Sequence, residues 1–200
     1  MIEKIITGSL ETNSYIISNQ GKCIIVDPGL DFKLYVESIK AKYEVVAIFL
    51  THGHVDHIDG IGYFDVPIYI HKKEKAFLND KTLSLYNAFG MGPSYDYNKL
   101  KLVEVDDNQL IELIGYSFKV LHTPGHTRGS VCYYFNDKLI SGDTLFCNSA
   151  GRTDFPTGDM LSLRFSLKRL ATLPEHTVVY PGHEAKTTIK NEKRYNPLMD

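Results

Sequence analysis

Seven consecutive residues, Thr51-His52-Gly53-His54-Val55-Asp56-His57, follow directly on the longest uninterrupted apolar run of the chain, Val45 to Leu50. Six apolar residues bounded by polar ones form the pattern of a strand buried on both faces. The polypeptide therefore leaves a core strand straight into a loop carrying three imidazoles and a carboxylate. On an extended or turning segment His52 and His54 point the same way. Asp56 and His57 come one turn later, where a following helix starts, so four ligand-type side chains can converge. A His/Asp set without thiolate is the donor chemistry of a catalytic rather than a structural zinc site.

Three further segments repeat one theme, a strand, a sharp Gly or Pro turn, then a ligand-type residue. They are Leu121-His122-Thr123-Pro124-Gly125-His126, Ile140-Ser141-Gly142-Asp143 and Tyr180-Pro181-Gly182-His183. Each puts His126, Asp143 or His183 just past a strand end, where the ligands of open α/β sheets gather. A single Gly-His or Gly-Asp pair is commonplace in turns. Four such segments in one chain of 200 residues are not, and they give seven candidate metal ligands.

The rest of the chain reads as alternating strands and helices. Ile16-Ile17 and Cys23 to Val26 form a hairpin around Ser18 to Gly21, closing near Asp27-Pro28-Gly29. With Asp31 as its N-cap, a helix carries Leu34, Tyr35, Ser38, Ile39, Lys42 and Tyr43 at helical spacing. Val66 to Ile70 is a strand, and residues 71–79 read as a helix. Residues 79–100, with Gly90, Gly92, Pro93 and the exposed-looking aromatics Tyr86, Phe89, Tyr95 and Tyr97, read as a long loop with at most one helical turn. Tyr86, Phe89, Met91 and Tyr95 either line a cleft or, more ordinarily, pack this loop down. Hairpins follow around Gly115 (110–114 with 116–121) and around Asn136-Asp137 (131–135 with 138–141). Asp159 caps a helix with a Leu163, Leu167, Leu170 stripe, and Pro174 stops it before a strand at 177–180.

Composition sets the outer bounds. Two hundred residues that are 43% apolar and 23% charged suit one globular domain spanning 1–200. A net charge of −2 offers no field for nucleic acid or an anionic membrane, so a small-molecule substrate is expected. No apolar run approaches the roughly 20 residues that span a bilayer, and the first residues lack the apolar core of a secretion signal. The expectation is a cytoplasmic protein. Cys23, Cys132 and Cys147 are scattered and odd in number, which suits reduced, buried thiols rather than disulfides or a cysteine zinc site.

The His52–His57 cluster, the His126 turn, the Gly142-Asp143 turn and the Pro181-Gly182-His183 turn together resemble the five-part signature of the metallo-β-lactamase superfamily, and Asp27-Pro28-Gly29 resembles its early turn. The resemblance covers about residues 7 to 197. It implies an α/β (α+β) fold, an αββα sandwich of two mixed sheets with outer helices. It also implies that His52, His54 and His126 hold one metal and that Asp56, His57 and His183 hold a second, with Asp143 bridging both. His71, His122 and His176 fall outside the signature. Two zinc ions are the implied cofactors, with iron or manganese as alternatives, and Asp56 and Asp143 are the implied catalytic residues.

Within the superfamily, two-metal β-lactamases usually carry Cys or Ser where this chain has Asp143. Only 40 positions separate Asp143 from His183, which leaves no room for the inserted domain of the nucleic-acid-cleaving members. Gly142-Asp143-Thr144-Leu145-Phe146 and Gly151-Arg152-Thr153-Asp154-Phe155 resemble the hydroxyacylglutathione hydrolase (glyoxalase II) branch and the related persulfide dioxygenases. The tail from Thr187 to Pro197 resembles short bacterial glyoxalase II-like proteins, which lack the helical domain that grips glutathione. Glu184 departs from the glycine common there. The implied activity is hydrolysis of a thioester such as S-lactoylglutathione by a metal-bridging hydroxide. A mononuclear iron persulfide dioxygenase and a lactone or other ester hydrolase are the alternatives. Arg152 is expected to pair with Asp154 and brace the loop, or else to bind a substrate carboxylate. Cys147 is expected to be a buried structural thiol, and the protein a monomer or small homo-oligomer.

Overall fold

In the computed structural model, which describes residues 1–199, the chain divides into two compact units, Met1–Val105 and Asp106 onward. The first contains β1 (Ile2–Thr7), β2 (Thr12–Asn19), β3 (Lys22–Val26), α1 (Val36–Lys42), β4 (Glu44–Phe49), α2 (Val55–Ile58), β5 (Pro67–His71) and β6 (Lys101–Val105). Its six strands lie in chain order in one sheet. β1, β2 and β3 pair antiparallel and β3 to β6 pair parallel, so the sheet is mixed. Gln20 and Gly21 both take positive φ between β2 and β3, the backbone of a two-residue hairpin turn whose twist matches its strands. Ala47, Ile48, Phe49 and Leu50 are fully buried, whereas Val45 and Val46 at the start of the apolar run are half-buried.

Two expectations in this unit are corrected. Asp31 does not cap a helix: its φ of 59° is left-handed, and its side chain makes no capping bond. An N-cap needs extended backbone to aim its oxygen at the first turn, and here a short 3₁₀ turn, Phe32–Tyr35, leads into α1 instead. Residues 71–79 are not one helix either. His71 is the last residue of β5, held opposite Val105 of β6, and only Lys75–Asn79 forms a 3₁₀ turn. β6, a strand its sequence pattern does not announce, pairs with β5 and draws His71 into the sheet. Residues 79–100 form the expected loop, with one 3₁₀ turn at Tyr97–Lys99. Tyr86, however, is buried rather than exposed, because its hydroxyl donates to Asp59 Oδ1 at 2.8 Å.

The second unit contains β7 (Leu110–Leu113), β8 (Tyr116–His122), β9 (Val131–Phe135), β10 (Lys138–Gly142), a two-stranded ribbon of β11 (Leu145–Phe146) and β12 (Ser149–Ala150), α3 (Met160–Leu170), β13 (Val178–Pro181), β14 (Thr187–Thr188) and α4 (Ile189–Tyr195). Its sheet runs β14-β13-β10-β9-β8-β7, with the β10–β13 pair parallel and the others antiparallel. Both expected hairpins turn on positive-φ pairs, Ile114-Gly115 and Asn136-Asp137. Asp159 caps α3 by accepting from the Ser162 amide at 2.6 Å. The Leu163, Leu167, Leu170 stripe is fully buried in a core with Leu121, Cys132, Leu139, Val179 and Ile189. Two mixed sheets with helices are thus the fold class expected from the sequence. Among the described residues no helix is long and apolar enough to cross a membrane.

The cysteines differ from the uniform burial expected of them. Cys23 and Cys132 are buried, but Cys147 is half-buried. Burial pushes the Cys132 thiol up to about 11 and the Cys23 thiol up to about 12, and only a thiolate reacts with disulfide reagents. At pH 8 an aromatic disulfide reagent is therefore expected to modify one thiol per folded chain and all three in denaturant. A second thiol modified at a comparable rate in the folded protein would contradict the burial.

Candidate metal centre

The first unit assembles its four candidate ligands on one short stretch. The chain leaves β4, stays extended through His54 (φ −75°, ψ 150°), and turns once in α2. The His52 and His54 rings meet edge-on at 4.8 Å, and the His52 and His57 rings lie 4.2 Å apart. His57 Nε2 is 3.4 Å from Asp56 Oδ2, and that same oxygen accepts a hydrogen bond from Thr12 Oγ1 at 2.9 Å. His52, His54 and His57 are all at least 98% buried.

Asp27, in the turn after β3, organises this group. Its Oδ1 accepts the Thr51 amide at 2.8 Å, and its Oδ2 accepts both the Thr51 hydroxyl at 2.6 Å and His57 Nδ1 at 3.0 Å. Since a carboxylate only accepts, the His57 proton sits on Nδ1 and the lone pair on Nε2. Thr51 spends its one proton on Asp27, so at 3.1 Å from His52 Nδ1 its oxygen accepts, and His52 has the same tautomer. The turn must also approach closely: a Cβ on Gly29 would stand 2.1 Å from the Asp56 carbonyl oxygen.

In the second unit the three Gly and Pro turns bring His126, Asp143 and His183 together. Asp143 Oδ2 lies 3.6 Å from His126 Nε2 and 3.6 Å from His183 Nε2. His126 Nδ1 donates to the Arg152 carbonyl at 2.7 Å, which again leaves Nε2 as the lone-pair nitrogen. Phe146 meets the His183 ring edge-on at 5.9 Å. The Arg152 side chain forms the expected pair with Asp154, bidentate at 2.6 and 2.5 Å, and lies over the Phe155 ring at 4.0 Å. That pairing holds the Asp154 carboxyl down at about 2. Arg152 thus braces the loop whose carbonyl orients His126.

The donor chemistry fits divalent metal. Each unit supplies only imidazole nitrogen and carboxylate oxygen, and three imidazoles have the Nδ1 proton fixed by an acceptor, the arrangement that orients metal-ligating histidines. Thr12, Thr51 and the Arg152 carbonyl act as supports that no local sequence pattern marks, and Asp27 has a role beyond its turn. An Asp two residues before a glycine is the one local signal for it. The remaining histidines lie elsewhere: His71 is buried at the end of β5, His122 Nε2 is 3.1 Å from the Arg128 carbonyl, and His176 is exposed beside Asp137 at 3.3 Å.

Gly151 ties the ribbon to the backbone of Asp143. A Cβ there would lie 1.9 Å from the Asp143 carbonyl oxygen and 3.1 Å from His126 Nδ1. Gly151→Ala must therefore move the backbone that carries Asp143, and the purified variant is expected to retain about a tenth or less of the wild-type metal affinity. Chelator competition measures this.

Residues 7–183 match the metallo-beta-lactamase superfamily, and the chain belongs to it. The hydroxyacylglutathione hydrolase GloC of Haemophilus influenzae is 30% identical over 203 residues, covering 98% of this chain and 95% of GloC. Among solved structures, the BLEG-1 B3 metallo-beta-lactamase superposes with a TM-score of 0.92 at 35% identity, over 100% of this chain and 99% of its own. TTHA1623 in a di-iron-bound form superposes at 0.85 with 33% identity, over 98% of each chain. The fold, the membership of a metallo-hydrolase superfamily and a set of His and Asp side chains able to hold metal are therefore established.

Proposed function

We propose that the protein is a two-metal hydrolase of thioesters, with S-lactoylglutathione or a related thiol conjugate as substrate. The observation that carries this reading is the Asp143 carboxylate, one oxygen of which stands 3.6 Å from two imidazole nitrogens, those of His126 and His183. In the superfamily signature these two histidines belong to different metals, so a carboxylate equidistant from both supports a shared role for Asp143. The proposed sharing is His52, His54 and His126 around one ion and Asp56, His57 and His183 around the other, with Asp143 common to both. The two units then act as one domain over residues 1–200.

Zinc is the proposed metal, with iron as the alternative that the di-iron relative supports. Bound divalent metal lowers the pKa of a coordinated water to about 7 and polarises a carbonyl. The chain's own residues do the rest. Asp27 and Thr51 keep the Nε2 lone pairs of His57 and His52 directed away from their supports, and Thr12 fixes the Asp56 carboxylate. In this reading Asp56 accepts a proton from the attacking water. Similarity to GloC along the whole chain supports the thioester substrate, and the Arg152 pair with Asp154 argues for bracing rather than substrate capture.

The deciding experiment is metal analysis of protein purified without added metal, followed by turnover assays on S-lactoylglutathione, on nitrocefin, and on glutathione persulfide with oxygen uptake. Two metals per chain with thioester cleavage as the fastest reaction is the expected result. The resemblance to BLEG-1 makes the β-lactam arm necessary, and faster nitrocefin hydrolysis would replace the thioester reading. One iron per chain with rapid oxygen uptake would replace it with a dioxygenase.

A further inference from the structure

The ligand stretch alternates. Side chains of His52 and His54 carry the donor atoms, while the amides of the residues between and beside them, 51, 53 and 55, each donate to a group outside the ligand set. Thr51 N goes to Asp27 Oδ1 at 2.8 Å, Gly53 N to Glu74 Oε2 at 2.9 Å, and Val55 N to the Ser84 carbonyl at 2.8 Å. This follows from the period of extended chain, in which successive side chains alternate in direction.

Glu74 is the least expected of the three partners. It is fully buried, it precedes the 3₁₀ turn Lys75–Asn79, and it belongs to no part of the signature. Burying a carboxylate is costly unless it is hydrogen-bonded. Here it accepts from the amide of Gly53, the residue between His52 and His54. The same short turn touches Gly53 a second time, because a Cβ on Gly53 would stand 2.3 Å from Phe77 Cβ. The Phe77 ring is 6.1 Å from the His54 ring, and Phe77 N bonds back to the Glu74 carbonyl at 2.9 Å. One rigid turn therefore grips the Gly53 peptide by charge and by shape, which fixes the dihedral angles between His52 and His54.

We infer that Glu74 is a positioning residue of the metal centre, holding His52 and His54 at their mutual angle through the Gly53 amide. The inference rests on the proposed assignment of those histidines as ligands. Glu74→Gln keeps a carbonyl to accept from Gly53 but loses the charge; Glu74→Ala loses both.

The test measures metal affinity by chelator competition and the visible absorption of the cobalt-substituted protein, with unfolding followed by circular dichroism. Glu192→Gln serves as the control. Glu192 is an equally buried carboxylate that accepts from the Asn148 amide, Thr187 and Asn196, with no candidate ligand among them. Glu74→Ala is expected to weaken the tighter-bound metal by 10-fold to 100-fold, the usual effect of removing a support behind a metal ligand, and to shift the cobalt bands. Glu74→Gln is expected to recover part of the affinity. Glu192→Gln should lower the unfolding temperature with affinity and cobalt spectrum unchanged. If Glu74→Ala does not fold, Glu74→Gln alone decides, by a loss of affinity and a spectral shift that Glu192→Gln does not produce. Wild-type affinity and spectrum in the folded Glu74 variants, with His54→Ala losing metal, would overturn the role of Glu74. Wild-type affinity in His54→Ala would instead overturn the ligand assignment beneath it.

Discussion

Asp143→Asn is expected to lower thioester hydrolysis about a thousandfold, while His176→Ala leaves it within twofold. A thousandfold corresponds to about 4 kcal/mol of transition-state stabilisation. The exchange preserves the size of the side chain but removes its charge, and it replaces one carboxylate oxygen with an amide nitrogen that cannot bind metal. The affected atom is shared: Asp143 Oδ2 stands at the same distance from His126 and from His183. In the proposed two-metal assignment, loss of this atom weakens the hold on two ions rather than one, so the effect should exceed that of His183→Ala, where only a single ligand of the second ion is lost. His176 is the fitting control, since its ring is exposed and pairs with Asp137. Steady-state kinetics with metal analysis on the same samples checks the outcome. Comparable rates for Asp143→Asn and His176→Ala would remove Asp143 from the centre.

The candidate ligands were legible because their chemistry and their spacing coincide. An imidazole at positions 52, 54 and 57 behind a wholly apolar strand admits few other uses, and each later ligand is announced by a glycine or proline turn. The strands were legible where β-branched or aromatic residues run between turn residues, as at 23–26 or 131–135. β6 was missed because Lys101 and Glu104 break its apolar pattern, and its strand character comes from parallel pairing with β5. α4 was missed because its sequence, Ile189 to Tyr195, is mostly polar. It is held by Thr188 at its start and by the buried Glu192 carboxylate. The supports of the ligands were the least legible part. Asp27, Thr12 and Glu74 lie 21 to 44 residues from the groups they hold, and of the three only Asp27, before Pro28-Gly29, carries a local signal. Only tertiary structure converts a polar residue into an orienting one.

Asp27 gives the sharpest separation between folding and metal binding. Asp27→Ala leaves the Thr51 amide, the Thr51 hydroxyl and His57 Nδ1 without their shared acceptor inside the protein, and the expected cost is about 3 to 5 kcal/mol of stability. Asp27→Asn is more telling because it fits the same space. Its amide oxygen can still accept from the Thr51 amide, so the turn is kept. Its NH₂ group then faces Thr51 Oγ1 and His57 Nδ1, where two donors were accepted before. Thr51 can rotate its hydroxyl proton away and accept. His57 can accept only by carrying its proton on Nε2, the nitrogen proposed to face the metal. A ring in that tautomer must lose its Nε2 proton, and with it the new Nδ1 hydrogen bond, before it can bind. Asp27→Asn is therefore expected to unfold within about 2 kcal/mol of wild type while binding the second metal 10-fold to 100-fold more weakly. Chemical denaturation and chelator competition on one preparation measure both quantities. A variant that loses stability and metal affinity in step would show that Asp27 holds the fold alone, and not the tautomer of His57.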